Sequence, residues 1–210
     1  MLKNILSVIG VVSIVGILGA YFTYDIGGKM DMMSKYDLSG IDLDAIEKLD
    51  PKAVPEYIGM FKRVLEKGNA PAAMVKKVQI EEAVSTEELV ENFTEIALGA
   101  NFKVVGDATM STSGVDQRGN KTKLIRFVSF CSPSIAKEFM EFENAFSAFM
   151  PCRIAIIEHD DGTRWMYTMA MELMLSGGQT LPPKMLEKAE HVRDTIYLMM
   201  DEAGKEDGDF

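Results

Sequence analysis

Apolar residues follow three different spacings along this chain, and each spacing predicts a different kind of element. The first is unbroken. Ile5 to Tyr24, "ILSVIGVVSIVGILGAYFTY", is 20 residues without a charge. As a helix it spans about 30 Å, the thickness of a bilayer's hydrocarbon. Tyr21, Phe22 and Tyr24 close it with the aromatic belt expected at an interface. The rival is a cleaved signal peptide, but its apolar region is shorter and needs small residues before the cut, and Leu18 spoils such a site two residues before Ala20. Residues 1–24 therefore read as a retained transmembrane anchor. Lys3 and the amino terminus face Lys29 and Lys35, which are mixed with Asp25 and Asp31, so positive charge gives little contrast across the span. A three-residue head before a span stays cytoplasmic. The expected location is the inner (cytoplasmic) membrane, single-pass, with the domain on the periplasmic or extracellular side. Gly16 and Ala20 form a small-xxx-small pair that supports helix pairing only weakly.

Residues 25–72 read as linker and helical lead-in, polar and without clear period up to residue 41. Asp42 is placed to cap a short helix ending near Asp50. A second helix is predicted from Pro55 to Gly68, with Tyr57, Met60, Phe61, Val64 and Leu65 at helical spacing.

Periods of two and of 3.6 residues then alternate over residues 73–204. Ala73 to Val84 reads as a strand. A helix follows, with Ser85 and Glu88 at capping-box spacing and Leu89, Phe93, Ile96 and Ala97 as its buried stripe. Two strands come next, "FKVVGDATMSTS" and "KLIRFVSFC", joined by the polar turn "GVDQRGNKT". Pro133 opens another helix, with Ser132 as cap, and Pro151 ends it. Ile135, Phe139, Phe142, Phe146 and Phe149 step by four, three, four and three along one of its faces. "CRIAIIEHDDGTRWMYTMAME" reads as a hairpin around Asp-Asp-Gly, and a last helix starts near Pro183. Residues 205–210 are an acidic tail. Short connections and a hairpin imply the α+β class: an antiparallel sheet with helices on one face, preceded by one transmembrane helix.

Composition narrows the function. Hydrophobic residues make up 47% and charged residues 26%, so a core forms without disulfide support. The formal net charge of −10 excludes nucleic acid as an expected partner, because phosphates demand clustered Lys and Arg. There are 16 methionines. Runs such as "MYTMAMELM" suit packing better than copper, since strand alternation sends their side chains to opposite faces.

The segments "FKVVGDATM", "FVSFCSPSIAKEFM" and "AFMPCRIAIIEHDDGTRWMYTMAMELML" occur in an order that resembles the domain-of-unknown-function family 302, over roughly residues 78–200. The resemblance implies a small α+β domain with a fold compared to half of the TATA-binding protein, and a homodimer. It implies no nucleic-acid binding and no agreed activity. Family members commonly carry Asn where this chain has Ser132.

Candidate chemistry centres on Cys131 and Cys152. A disulfide between them closes a loop of about 22 residues and stabilises by roughly 3 kcal/mol. Yet a helix of about 16 residues carries the chain some 24 Å, far beyond the roughly 7 Å that a disulfide bridges. Separate, buried structural thiols are the second reading. The third is a functional thiol. Cys131 is the better candidate because it precedes a helix N-terminus, where the dipole stabilises a thiolate. Phe139, Phe142, Phe146 and Phe149 either line a pocket for an apolar ligand, such as a quinone or haem, or are simply core. His159 and His191 lack metal-ligand spacing, and no Cys-x-x-Cys, phosphate loop or Gly-x-Ser-x-Gly exists. No metal site, cofactor or catalytic constellation is expected. The reading is a membrane-anchored binding or accessory domain, with a protein partner allowed. The alternative is a thiol-dependent redox or sulfur-handling protein using Cys131.

Overall fold

The computed structural model describes residues 43–208. The anchor expected over residues 1–24, the Asp42 cap and the last two residues of the acidic tail lie outside them. Among the described residues no helix is long and apolar enough to cross a membrane. The short helix α1, Leu43–Glu47, belongs to a unit that ends at Glu47, and a second unit runs from Lys48 onward.

That second unit opens with α2 (Ala53–Lys67) and the single turn α3 (Ala70–Ala73). It continues as β1 (Val75–Gln79), α4 (Thr86–Gly99), β2 (Lys103–Ser111), β3 (Gly114–Val115), β4 (Lys121–Thr122), β5 (Ile125–Cys131) and α5 (Pro133–Phe142). A 3₁₀ segment, Asn144–Phe149, precedes β6 (Cys152–Glu158), β7 (Arg164–Met169), α6 (Glu172–Ser176) and α7 (Pro183–Glu202). Five strands form one sheet in the order β1-β7-β6-β5-β2, with every neighbouring pair antiparallel. β3 and β4 pair as a small ribbon within the β2–β5 connection. This is the expected α+β fold.

Strand alternation gives the sheet two unlike faces. On one, Val128 stands opposite Ile154, and Ile156 opposite Met166. All four are buried, as is Phe130. Helix α4 covers them with Leu89, Phe93, Ile96 and Ala97, and α7 adds Ile196, Met199 and Met200. The capping box of α4 forms as the sequence predicts: the Glu88 amide donates to Ser85 Oγ at 3.1 Å, and the Ser85 amide donates to a Glu88 carboxylate oxygen at 3.3 Å. On the other face, Phe127, Ala155, Tyr167 and Lys77 line up across four strands. None of these is buried. Cations lie over the rings instead: Lys77 Nζ is 3.7 Å from the Trp165 centroid, and the Arg153 guanidinium carbon is 5.2 Å from that of Phe127.

Four boundaries differ from the sequence expectation, each for a local reason. The strand expected over Ala73 to Val84 stops at Gln79. Beyond it, the Arg164 guanidinium donates to the carbonyls of Glu81, Glu82 and Val84, at 3.3, 3.3 and 2.5 Å, and curls the chain around itself. Helix α2 starts at Ala53, ahead of Pro55, because the Asp50 carboxylate accepts the Lys52 amide at 2.8 Å. The single phenylalanine-striped helix does not exist. Glu143 is extended, and its carboxylate accepts the Ala145 amide at 3.0 Å, so α5 ends and a 3₁₀ turn begins. Finally, the methionine-rich strand ends at Met169, and the next residues turn into α6.

The ion pair of Arg126 with Asp107 ties β5 to β2, at 2.7 Å from Nη2 and 2.9 Å from Nε. Hydrogen bonding to Arg126 holds the Asp107 carboxyl below its usual value; burial opposes it, and the Arg126 charge adds a smaller lowering. A carboxyl lowered on folding adds stability above its unfolded pKa and loses it as pH falls through the folded one. Asp107→Asn therefore lowers the urea midpoint at pH 7, and its difference from the parent shrinks below pH 4, which is roughly the unperturbed Asp pKa. Urea titrations of both proteins across that range measure it.

Candidate functional site

Both predicted sulfur sites are within the described residues, and their relation differs from expectation. Because α5 is only 10 residues long and the 3₁₀ turn folds back, the chain returns to the sheet edge it left. Cys152 pairs with Phe130, so Cys131 sits one position further along the neighbouring strand. A helix length does not separate the two cysteines. They are nevertheless both free thiols. One step out of register, alternation aims Cys152 at the core side and Cys131 at the other. Burial raises the Cys131 thiol above its ordinary value. Burial and then the nearby Cys131 push Cys152 up to about 11. Neither shift is the lowering that an activated thiolate requires. Iodoacetamide accordingly labels the folded protein at pH 8 more slowly than it labels the same protein in urea, with Cys152 the slowest, and labelling of Cys152 accelerates as pH approaches 11. Mass spectrometry of timed samples reads both sites.

The histidines are held by neighbours. His159 Nε2 is 2.7 Å from Tyr167 Oη, and its ring stacks on Trp165 at 5.6 Å. His191 Nε2 is 3.1 Å from the Ala100 carbonyl oxygen. Among the described residues no group of three His, Cys, Asp or Glu side chains could hold a metal.

The four candidate phenylalanines divide. Phe139 is core, edge-on to Phe146 with ring centroids 5.1 Å apart. Phe142 is exposed at the end of α5. Phe146 and Phe149 line a cavity of about 400 Å³. Its other walls come from α2 (Tyr57, Met60, Arg63), from Met74 and Met169 at the β1–β7 end, and from α6 (Glu172, Leu173, Met174). The sequence offered Phe146 and Phe149 as pocket candidates but gave no sign of the walls from α2 and Met74. The density of methionines between Met166 and Met174 was a second visible signal.

Local geometry builds these walls. Gly68 takes φ +62°, closing α2 with a bond from its amide to the Val64 carbonyl at 2.8 Å. Asn69 then caps α3 by accepting the Ala72 amide at 3.1 Å. Arg63 Nε donates to the Ala73 carbonyl at 3.1 Å, fixing α2 to the turn that leads into β1. No ion pair involves Arg63 among the described residues. The Ala170 amide donates to the Met74 carbonyl at 2.8 Å and joins the two sheet-end residues. At the floor, a Cβ on Gly177 would stand 2.3 Å from the Leu173 carbonyl oxygen, so only glycine fits.

Tyr197 anchors α6 to α7. Its hydroxyl accepts the Met171 amide at 3.1 Å and donates to Glu172 Oε1 at 2.9 Å. Burial, first among the causes, pushes its pKa up to about 12, so it stays a donor at neutral pH. Tyr197→Phe leaves both partners unsatisfied and destabilises by about 1–3 kcal/mol. Urea unfolding measures this as a lower midpoint at unchanged slope.

The model of the domain of unknown function DUF302 matches residues 76–203. The chain belongs to the DUF302 family. Among solved structures, it is similar to an uncharacterized conserved DUF302 protein from Bacillus stearothermophilus, at 15% identity and a TM-score of 0.47, over 61% of this chain and 96% of that one. No curated protein matches. Helix α2 and α3 lie before the matched DUF302 segment, so the cavity is walled partly by the family domain and partly by this chain's own lead-in.

Proposed function

We propose that this DUF302 protein is a membrane-tethered binding module for a small amphipathic ligand with an apolar body and an anionic head. The cavity between α2, the 3₁₀ segment and α6 is the single observation that carries the reading. Its volume of about 400 Å³ falls in the range of small-molecule sites, roughly 300–1,000 Å³. Its lining is mostly Met, Phe and Leu, with one cation, Arg63, and one carboxylate, Glu172, which already accepts the Tyr197 hydroxyl at 2.9 Å. Four thioethers, from Met60, Met74, Met169 and Met174, give an adaptable wall that accepts more than one shape. Arg63 has donors left after its single backbone bond, and a guanidinium pairs with a carboxylate through two parallel hydrogen bonds. The uncharged run Ile5–Tyr24 supports the tether. The raised thiols make sulfur chemistry the weaker reading.

The test is titration with dansyl-undecanoic acid and with its neutral amide. Saturable binding of the acid is expected. Arg63→Gln should weaken it about ten-fold, or ~1.4 kcal/mol, while affecting the amide little, and Leu173→Asp should abolish binding of both. Failure of the acid to bind, or equal acid affinity in the parent and Arg63→Gln, overturns the proposal.

A further inference from the structure

Helix α2 meets the rest of the unit with only one side. Ala53 is fully buried, and Met60 and Val64 are half-buried. The adjoining side carries Val54, Ile58, Phe61 and Leu65, spaced by four, three and four residues. All four are open to solvent, at 55, 63, 60 and 68%. This is a straight apolar stripe about 16 Å long on helical geometry, with no protein partner in the described residues. A large side chain that stays wet forgoes most of its transfer free energy, so such a stripe marks a docking surface.

We infer that α2 is an interfacial helix whose Val54–Leu65 stripe lies in the headgroup boundary of an anionic bilayer. The inference rests on the membrane tether proposed above. The stripe begins 30 residues after Tyr24, where the uncharged run ends. Even fully extended, that chain reaches only about 100 Å, so a tethered α2 is confined near a lipid surface. Charge agrees. Residues 48–67 hold five basic side chains against three acidic ones, in a chain of net charge −10. Lys62 flanks the stripe directly, as lysines do on helices that lie in the boundary. A second copy fits less well. A coiled coil needs three or four heptads, and the 15 residues of α2 supply two. Even if each side chain presented the about 250 Å² of a large aromatic, a stripe exposed to this degree falls short of the roughly 800 Å² per partner of a stable interface. A short stripe binds lipid weakly alone, but a second attachment to the same bilayer makes its contact effectively intramolecular.

The test uses the full chain with Phe61→Trp, reconstituted into phosphatidylcholine–phosphatidylglycerol vesicles, some carrying doxyl-labelled acyl chains. The parent, whose single tryptophan is Trp165, supplies the baseline. Emission from the new tryptophan is expected to shift to the blue and to be quenched, more strongly by shallow labels than by deep ones, since such helices sit about 5–10 Å into the boundary. Adding Val54→Asp and Ile58→Asp should remove the shift and the quenching while the protein still floats with the vesicles. A protein that floats but shows water-exposed, unquenched emission overturns this inference and leaves the tether standing. A blue shift without quenching also overturns it, because a second copy or another protein then covers the stripe. A full chain that does not float with vesicles overturns the tether and this inference together.

Discussion

Phe93 on α4 stands edge-on to Phe130 on β5, ring centroids 5.6 Å apart, and both side chains are fully buried. This pair joins the helix layer to the sheet. Phe130 is flanked by Val128 on its own strand and by Ile154 on the next, so one dry face extends across the three inner strands. Strand register follows from it. A slip of one residue would put Phe127, Arg153 and Tyr167 against α4 and send the whole apolar row to water. The positions of the two cysteines, of Arg126 beside Asp107 and of Met169 at the cavity mouth are all set by that same register.

Where burial has one side, the sequence declares it. The stripe of α4 and its Ser85–Glu88 cap were readable because local hydrogen bonding and tertiary packing ask for the same residues. The Asp-Asp-Gly hairpin was readable because Gly162, at φ +85°, occupies a conformation that few other residues accept. The failures share a cause. Ile135 to Phe149 keeps a helical apolar period across Glu143, yet a side chain bonding its own backbone broke the helix there, and a spacing rule cannot see that competition. The separation of Cys131 from Cys152 was misjudged for the same reason, since one long helix carries a chain away and two short ones bring it back.

The cavity was harder to read still. Tyr57 and Met60 come from the lead-in, Phe146 and Phe149 from a 3₁₀ turn, and Met169 to Met174 from a strand end and a helix start. No single period links them. They converge because Gly68 reverses the chain and because Gly177 admits a backbone approach that no Cβ would allow. Glycines therefore place this site more than its aromatic residues do, and they announce themselves in sequence only as interruptions.

The lead-in has one more consequence. Leu49 bridges Gln179, and the Asp50 amide donates to the Gly178 carbonyl at 2.8 Å, just beside the cavity floor. Any pull on the chain from its N-terminal side enters the unit through those few bonds. The segment that precedes the unit is thus tied to Gly178 and Gln179, beside the cavity floor, and not to the Phe93–Phe130 core.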